Sequence, residues 1–134
     1  MADLSARTVL VVDDQSAFRV AVRRLLEHAR DFELVGEAED AAEAVRFATE
    51  LLPDVVLMDI KLPDASGIDA TRDVLAVHPG ATVILLSTYT TGDLPTGAAT
   101  SGARAYLHKE DLAAPVLRSL LTGSAAVATM FAKP

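Results

Sequence analysis

Thr8-Val9-Leu10-Val11-Val12-Asp13-Asp14 is the stretch that decides the fold. It opens with a short, apolar, largely β-branched run, and the acidic pair stops it. Nothing in the run alternates, so it reads as a strand buried on both faces, the kind found inside a parallel sheet. Outward from it, apolar runs and helical patterns alternate about five times along the chain. From Ser16 to about His28, Phe18, Val22, Leu25 and Leu26 share one stripe, with Arg19, Arg23, Arg24 and Glu27 off it. Phe32 to Ala38 alternates like a strand nearer an edge. Asp40 serves as N-cap for a helix through Leu52, and Glu43 three residues on completes a capping-box-like pair. The stripe of that helix is Ala41, Ala44, Val45, Ala48, Leu51 and Leu52, and Pro53 ends it.

Val55-Val56-Leu57-Met58 makes a third buried strand, closed by Asp59. Lys61 to Gly67 is a loop of turn formers, and Ile68 to Val77 is helical until His78-Pro79-Gly80. Ala81 to Leu86 is a fourth strand running into Ser87-Thr88, and Ala103 to Leu107 a short fifth one before His108-Lys109-Glu110. Asp111 to about Leu121 reads as a last helix, and Gly123 to Pro134 as a weakly patterned tail. Alternation with short connections predicts an α/β, three-layer sandwich: a parallel sheet with helices on both faces, joined by right-handed crossovers. Ligands of such a sheet bind beyond the carboxyl ends of its strands.

Composition agrees with one domain. The chain has 134 residues, 51% hydrophobic and 23% charged, a globular balance. Its 12 Lys+Arg against 19 Asp+Glu give a formal charge of -7, which argues against nucleic-acid binding by the domain body. The absence of cysteine excludes disulfides, thiolate metal sites and cysteine nucleophiles. Met1-Ala2-Asp3-Leu4-Ser5 carries no basic-then-apolar signal, and no apolar run reaches the roughly 18 residues of a membrane span. The expectation is a soluble, cytoplasmic protein without membrane contact.

Four strand ends carry polar groups: Asp13-Asp14, Asp59, Ser87 and Lys109. In a parallel sheet they gather at one rim. Adjacent carboxylates raise one another's pKa values unless something positive sits among them. A divalent cation resolves the conflict, and Mg²⁺ suits hard oxygen ligands with retained waters; Mn²⁺ is the alternative. Singly, each residue has an ordinary reading as a cap, a turn residue, a strand-end hydroxyl or a surface lysine; the set of four carries the argument. His28, His78 and His108 are scattered and read as solvated surface histidines.

The sequence resembles the receiver domain of bacterial two-component response regulators. The match lies in Val11-Val12-Asp13-Asp14, Val56 to Pro63 with Gly67, Leu85-Leu86-Ser87, and Gly102-Ala103-Arg104-Ala105-Tyr106-Leu107-His108-Lys109. It spans about residues 7 to 121, and its wording is nearest the NarL/LuxR-type branch, whose members usually carry a C-terminal helix-turn-helix. The resemblance implies a flavodoxin-like, five-stranded sheet of order 2-1-3-4-5, with the receiver over 1–122 and a tail or linker start over 123–134. It implies Asp59 as phosphoacceptor, and Asp13, Asp14, Asp59 and the main-chain carbonyl of Lys61 as Mg²⁺ ligands. Lys109 and the metal would neutralise the transferring phosphoryl group, Ser87 would hydrogen-bond it, and Tyr106 would turn inward behind Ser87. The partners implied are a sensor histidine kinase, a second copy on phosphorylation, and DNA only through an output domain absent from this chain.

Such a protein is a regulatory phosphoacceptor that catalyses its own phosphorylation and dephosphorylation rather than an enzyme. The rival readings are a pseudo-receiver binding module and an aspartate-nucleophile phosphatase; the latter wants a second acid where Lys61 stands. Glu110 replaces the proline that many receivers have after the lysine, which puts the peptide geometry there in question. Arg19 and Arg23, one turn apart, are either a kinase-docking pair or a solvated basic face. Thr90 to Gly102, with Pro95, Gly97 and few apolar anchors, predicts a shortened, frayed or displaced helix.

Overall fold

A computed structural model describes residues 6–88, 95–123 and 129–131. Five strands alternate with helices: β1 (Arg7–Val12), α1 (Ser16–Glu27), β2 (Phe32–Ala38), α2 (Ala41–Leu51), β3 (Val55–Asp59), α3 (Gly67–Val77), β4 (Thr82–Ser87) and β5 (Ala105–His108). A 3₁₀ turn (Lys109–Asp111) and α4 (Ala114–Thr122) follow, then the two-residue β6 (Thr129–Met130). The sheet order is β2-β1-β3-β4-β5-β6. The first five are parallel in the expected order 2-1-3-4-5. β6 adds an antiparallel pair, Ala105 with Met130 and Tyr106 with Thr129, in a stretch whose sequence shows no strand pattern.

The unbroken apolar runs are explained by two cores. Leu10, Val12, Val56, Met58, Val83 and Leu85 face one layer, filled by Ala44 and Ala48 of α2 and Ala70 and Val74 of α3. Val9, Val11, Leu57, Ile84 and Leu86 face the other, filled by Val22 and Leu26 of α1 and Leu117 and Leu120 of α4. Period-two alternation persists, but both faces are buried, so both sets are apolar.

Several boundaries differ from expectation for identifiable reasons. The last helix begins at Ala114, not Asp111, because Pro115 lies in its first turn. Farther inside a helix, Pro115 would lack its N–H donor and its ring would meet the carbonyl of Asp111. Leu51 and Leu52 are 40% and 57% exposed rather than on a buried stripe. Leu52 has left the helix as its left-handed C-cap, with φ 46. His78 and His108 are half-buried, not solvated, and His78 Nε2 lies 2.8 Å from the Pro53 carbonyl oxygen. The peptide after Lys109 is trans, and Glu110 continues the 3₁₀ turn.

Pro95 to Gly102 form successive turns instead of a helix, with the Ala98 and Ser101 N–H groups donating to the Pro95 and Ala98 carbonyls. Gly97 and Gly102 hold φ of 87 and 97, which L side chains rarely adopt. The earlier part of the expected helix, positions 90–94, lies outside the described residues.

One glycine ties the helical layer to the sheet rim. Gly67, first in α3, donates its N–H to the Ile60 carbonyl at 2.6 Å, and a Cβ there would sit 2.0 Å from the Asp59 main-chain oxygen. Because the obstacle is backbone, Gly67→Ala is expected to cost about 1–3 kcal/mol. Urea unfolding measures it; a loss below about 0.5 kcal/mol would mean that this rim yields freely.

Candidate functional site

The four polar strand ends meet. Asp13 directly follows β1, Asp59 and Ser87 are the last residues of β3 and β4, and Lys109 directly follows β5. Parallel strands deliver all of them to the carboxyl edge of the sheet. Asp13 and Asp59 are 0% and 5% exposed, whereas Asp14 faces solvent. Ligand atoms of these three carboxylates lie within 4.8 Å of one another.

Lys109 is the cation among them. Its Nζ lies 2.5 Å from Asp13 Oδ2 and 3.3 Å from Asp59 Oδ2. The ammonium also stands 4.7 Å from the centroid of the Phe18 ring, whose face attracts a cation. Phe18 thus does more than fill the α1 stripe that the sequence assigns it. The remaining oxygens take main-chain donors: Asp13 Oδ1 from the Gln15 N–H at 2.8 Å, and Asp59 Oδ1 from the Lys61 N–H at 3.2 Å. Burial pushes the Asp59 carboxyl above its usual range, and the Asp13 charge adds to the effect. Lys109 and the Lys61 N–H pull the other way.

A cavity of about 510 Å³ opens beside the cluster, lined by Asp59, Lys61, Leu62, Ser66, Ser87 and Thr88. A larger cavity of about 630 Å³, by Gly80, Thr82 and Arg104 near the opposite edge, contains no such set of acids. Ser87 is 7% exposed and pairs in register with His108. Tyr106 is 6% exposed, its ring 5.6 Å from that of His108 in an edge arrangement.

The residues fit a divalent cation. Asp13 Oδ2 is buried without a well-directed hydrogen bond among the described residues. Three carboxylates share one ammonium, which leaves the cluster formally negative. All the donors are hard oxygens, and exposed Asp14 leaves room for waters, which suits Mg²⁺.

Sequence reasoning missed two neighbours of the cluster. Arg19 is not on a solvated basic face: its side chain is 13% exposed and it donates to the Asp13 carbonyl. Asp64, read only as a turn former, accepts from the Ala41 and Ala42 N–H groups at 2.9 and 3.1 Å, capping α2 from the loop after Asp59. The available signals were an arginine one turn into the helix after an acidic pair, and a further acid, Asp64, in the loop beyond Asp59.

A doubly wound parallel domain with this acid cluster and lysine at its carboxyl edge is of the flavodoxin-like, receiver class. The chain belongs to the response regulator receiver domain family, which it matches over residues 9–121. It is 37% identical over 102 residues to the transcriptional regulatory protein DegU of Brevibacillus brevis, covering 76% of this chain and 43% of that protein. Among solved structures, it resembles a LuxR-family two-component response regulator from Aurantimonas sp. SI85-9A1, with TM-score 0.80 and 30% identity over 92% of this chain and 91% of that one. It also resembles a response regulator from Burkholderia pseudomallei with a phosphorylated aspartic acid, a calcium ion and citrate, with TM-score 0.77 and 25% identity over 88% and 68% of the two chains. The chain spans about half the length of the curated relatives it matches.

The raised Asp59 pKa has a thermodynamic consequence. Between the ordinary carboxylate value, about 3.9, and the raised native one, the unfolded chain ionises at Asp59 while the native chain resists. Stability at this residue is therefore lost as pH rises through that window. In EDTA, Asp59→Asn is expected to melt higher than wild type at pH 7, with the gap closing on acidification towards pH 4. Melting curves at both pH values check it; a gap that widens with acid would reverse the sign.

Proposed function

We propose that the chain accepts a phosphoryl group on Asp59 from the phosphohistidine of a sensor kinase, in a Mg²⁺-dependent step, and so switches an output surface. The observation that carries this reading is the Lys109 ammonium between Asp13 and Asp59, beside an open cavity. An Asp59 carboxylate oxygen attacks phosphorus; the O–P bond forms as the P–N bond to the donor imidazole breaks, and that nitrogen keeps the electron pair. Charge spreads over the phosphoryl oxygens in transit, so catalysis here is neutralisation and alignment. Lys109 supplies one positive charge, and Ser87 at the cavity wall a hydroxyl donor. Asp13, Asp14, Asp59 and the Lys61 carbonyl would hold Mg²⁺, or Mn²⁺, which supplies further charge neutralisation when bound. Hydrolysis of the acyl phosphate by water returns the carboxylate and inorganic phosphate.

The product reports to the rest of the molecule through Ser87 and Tyr106. A phosphoryl oxygen that engages Ser87 moves the end of β4, and Tyr106 on the adjacent strand packs behind it, a local contact biasing a two-state element. The role is regulatory, with turnover confined to the protein's own aspartyl phosphate. Relatives named as transcriptional regulators support an output on DNA carried by a separate module; a homodimer formed on phosphorylation and a cytoplasmic setting are further parts of this proposal. No helix among the described residues is long and apolar enough to cross a membrane.

Incubation with acetyl phosphate and Mg²⁺ is expected to add about 80 Da, labile in alkali. Asp59→Asn should take up none, and full uptake by that variant would move the acceptor elsewhere. With few protein ligands, the Mg²⁺ dissociation constant is expected on the order of millimolar, roughly -4 kcal/mol. Asp14→Ala should weaken it further, and an unchanged titration would remove Asp14 from the ligand set.

A further inference from the structure

Arg19 lies in the second turn of α1, yet its side chain turns away from solvent towards the site. Its Nη1 donates to the main-chain carbonyl of Asp13 at 2.7 Å. Its Nε lies 3.4 Å from Glu37 Oε1 and its Nη2 lies 3.5 Å from Glu39 Oε1. Glu37 is itself held by Arg23, which donates to its Oε2 from Nε at 3.0 Å and Nη2 at 2.7 Å. One planar guanidinium therefore spans α1, the end of β1 and the end of β2.

The carbonyl that it grips belongs to the peptide joining Asp13 to Asp14. Fixing that plane fixes the direction in which Asp14 leaves the backbone, while Asp13 stays buried beneath it. The Asp13 N–H also donates to the Ala38 carbonyl at 2.9 Å and Lys109 holds its carboxylate, but these fix Asp13 itself and not the Asp13–Asp14 peptide plane. Asp13 Oδ1 takes the Gln15 N–H, but Gln15, the N-cap of α1, makes no side-chain cap, and the first turn has no acid. A lysine could reach the carbonyl but could not span the two carboxylates as well.

We infer that Arg19 is a positioning residue for the divalent cation, aiming the Asp14 carboxylate through the Asp13–Asp14 peptide, with Glu37 and Glu39 fixing the guanidinium. The inference rests on the Mg²⁺-dependent reading of the site and adds a residue to it. Its alternative is a plain clip between α1 and β2. The two differ in what excess metal restores. A clip would lower the melting temperature and leave Mg²⁺ affinity alone, whereas a positioning residue acts on affinity, and saturating Mg²⁺ then recovers the rate.

The test compares the full chain with Arg19→Gln, Arg19→Lys and Glu39→Gln, by Mg²⁺ titration followed in amide NMR spectra and by acetyl phosphate labelling across Mg²⁺ concentrations. Arg19→Gln is expected to bind Mg²⁺ about tenfold more weakly, in line with the loss of an outer-shell partner. Its labelling rate should return to within about twofold of wild type at saturating metal, since the transferring groups are untouched. Arg19→Lys keeps a cationic donor for the carbonyl and should lose no more than about threefold. Should Arg19→Gln not fold, Glu39→Gln carries the test: its side chain is 65% exposed, and removing one anchor should weaken Mg²⁺ about twofold to threefold. Unchanged affinity in folded Arg19→Gln, or in Glu39→Gln where that variant carries the test, overturns the inference, as does a rate deficit that saturating Mg²⁺ leaves in place. A wild type that neither binds Mg²⁺ nor labels at Asp59 overturns the underlying reading and this one with it. A wild type that does both confines any failure to Arg19.

Discussion

The structure turns on one ammonium group held between two buried carboxylates. Asp13 and Asp59 are nearly without solvent exposure, and Lys109, with 9% side-chain exposure, reaches both from the carboxyl end of β5. Two like charges in a low-dielectric setting repel strongly, and one shared cation removes only part of that repulsion. Burial first, and the neighbouring Asp13 charge after it, hold the Asp59 carboxyl above its usual range despite Lys109. A half-neutralised cluster is poorly placed to stabilise a fold and well placed to attract a cation. Its chemistry is stored as unmet charge.

The fold's task is to keep that charge assembled. Parallel strands bring four chain-distant positions to one edge, and helices on both faces make the sheet rigid enough to hold them within a few ångströms. Small residues help at the contact points. Ala44 and Ala48 let α2 lie close on the sheet, and Gly67 brings α3 against the main chain of Asp59 at a distance no side chain allows. The Asp59 carboxylate therefore stands on a platform whose backbone has little room to move.

What the sequence disclosed and what it hid divide along physical lines. The buried runs Val9–Val12, Val55–Met58 and Val83–Leu86 were legible because burial on two faces leaves no other composition for a strand. Asp13, Asp14, Asp59, Ser87 and Lys109 were legible as a set because polar groups at successive strand ends are costly without a purpose. The last helix was begun at Asp111, whereas α4 starts at Ala114 because Pro115 sets the limit. β6 was invisible because a two-residue strand has no period; its Thr129 and Met130 gain their place from the free edge of β5. Phe18 and Arg19 were seen as helix residues, inside and outside the stripe. Their contacts with Lys109 and the Asp13 carbonyl depend on a tertiary approach that no periodicity encodes.

The acids around the rim fall into groups according to how their charge is met. Asp40 and Asp64 accept main-chain N–H groups at the start of α2, and Glu43 accepts the Glu39 N–H beside them. Those donors hold the Asp64 carboxyl below its usual range. Glu37 and Glu39 face the guanidinium of Arg19, and Glu37 that of Arg23 as well. Asp13 and Asp59 divide Lys109, while Asp14 stands out towards solvent. The first group is held by main-chain hydrogen bonds and the second by guanidinium groups, and together they lock α1 and α2 to the loops that carry the site. The third places three carboxylates around one ammonium, and it is the group at which the strands converge. Within a chain of net charge -7, the strands thus gather three carboxylates around a single ammonium at one edge, an arrangement that favours a cation there.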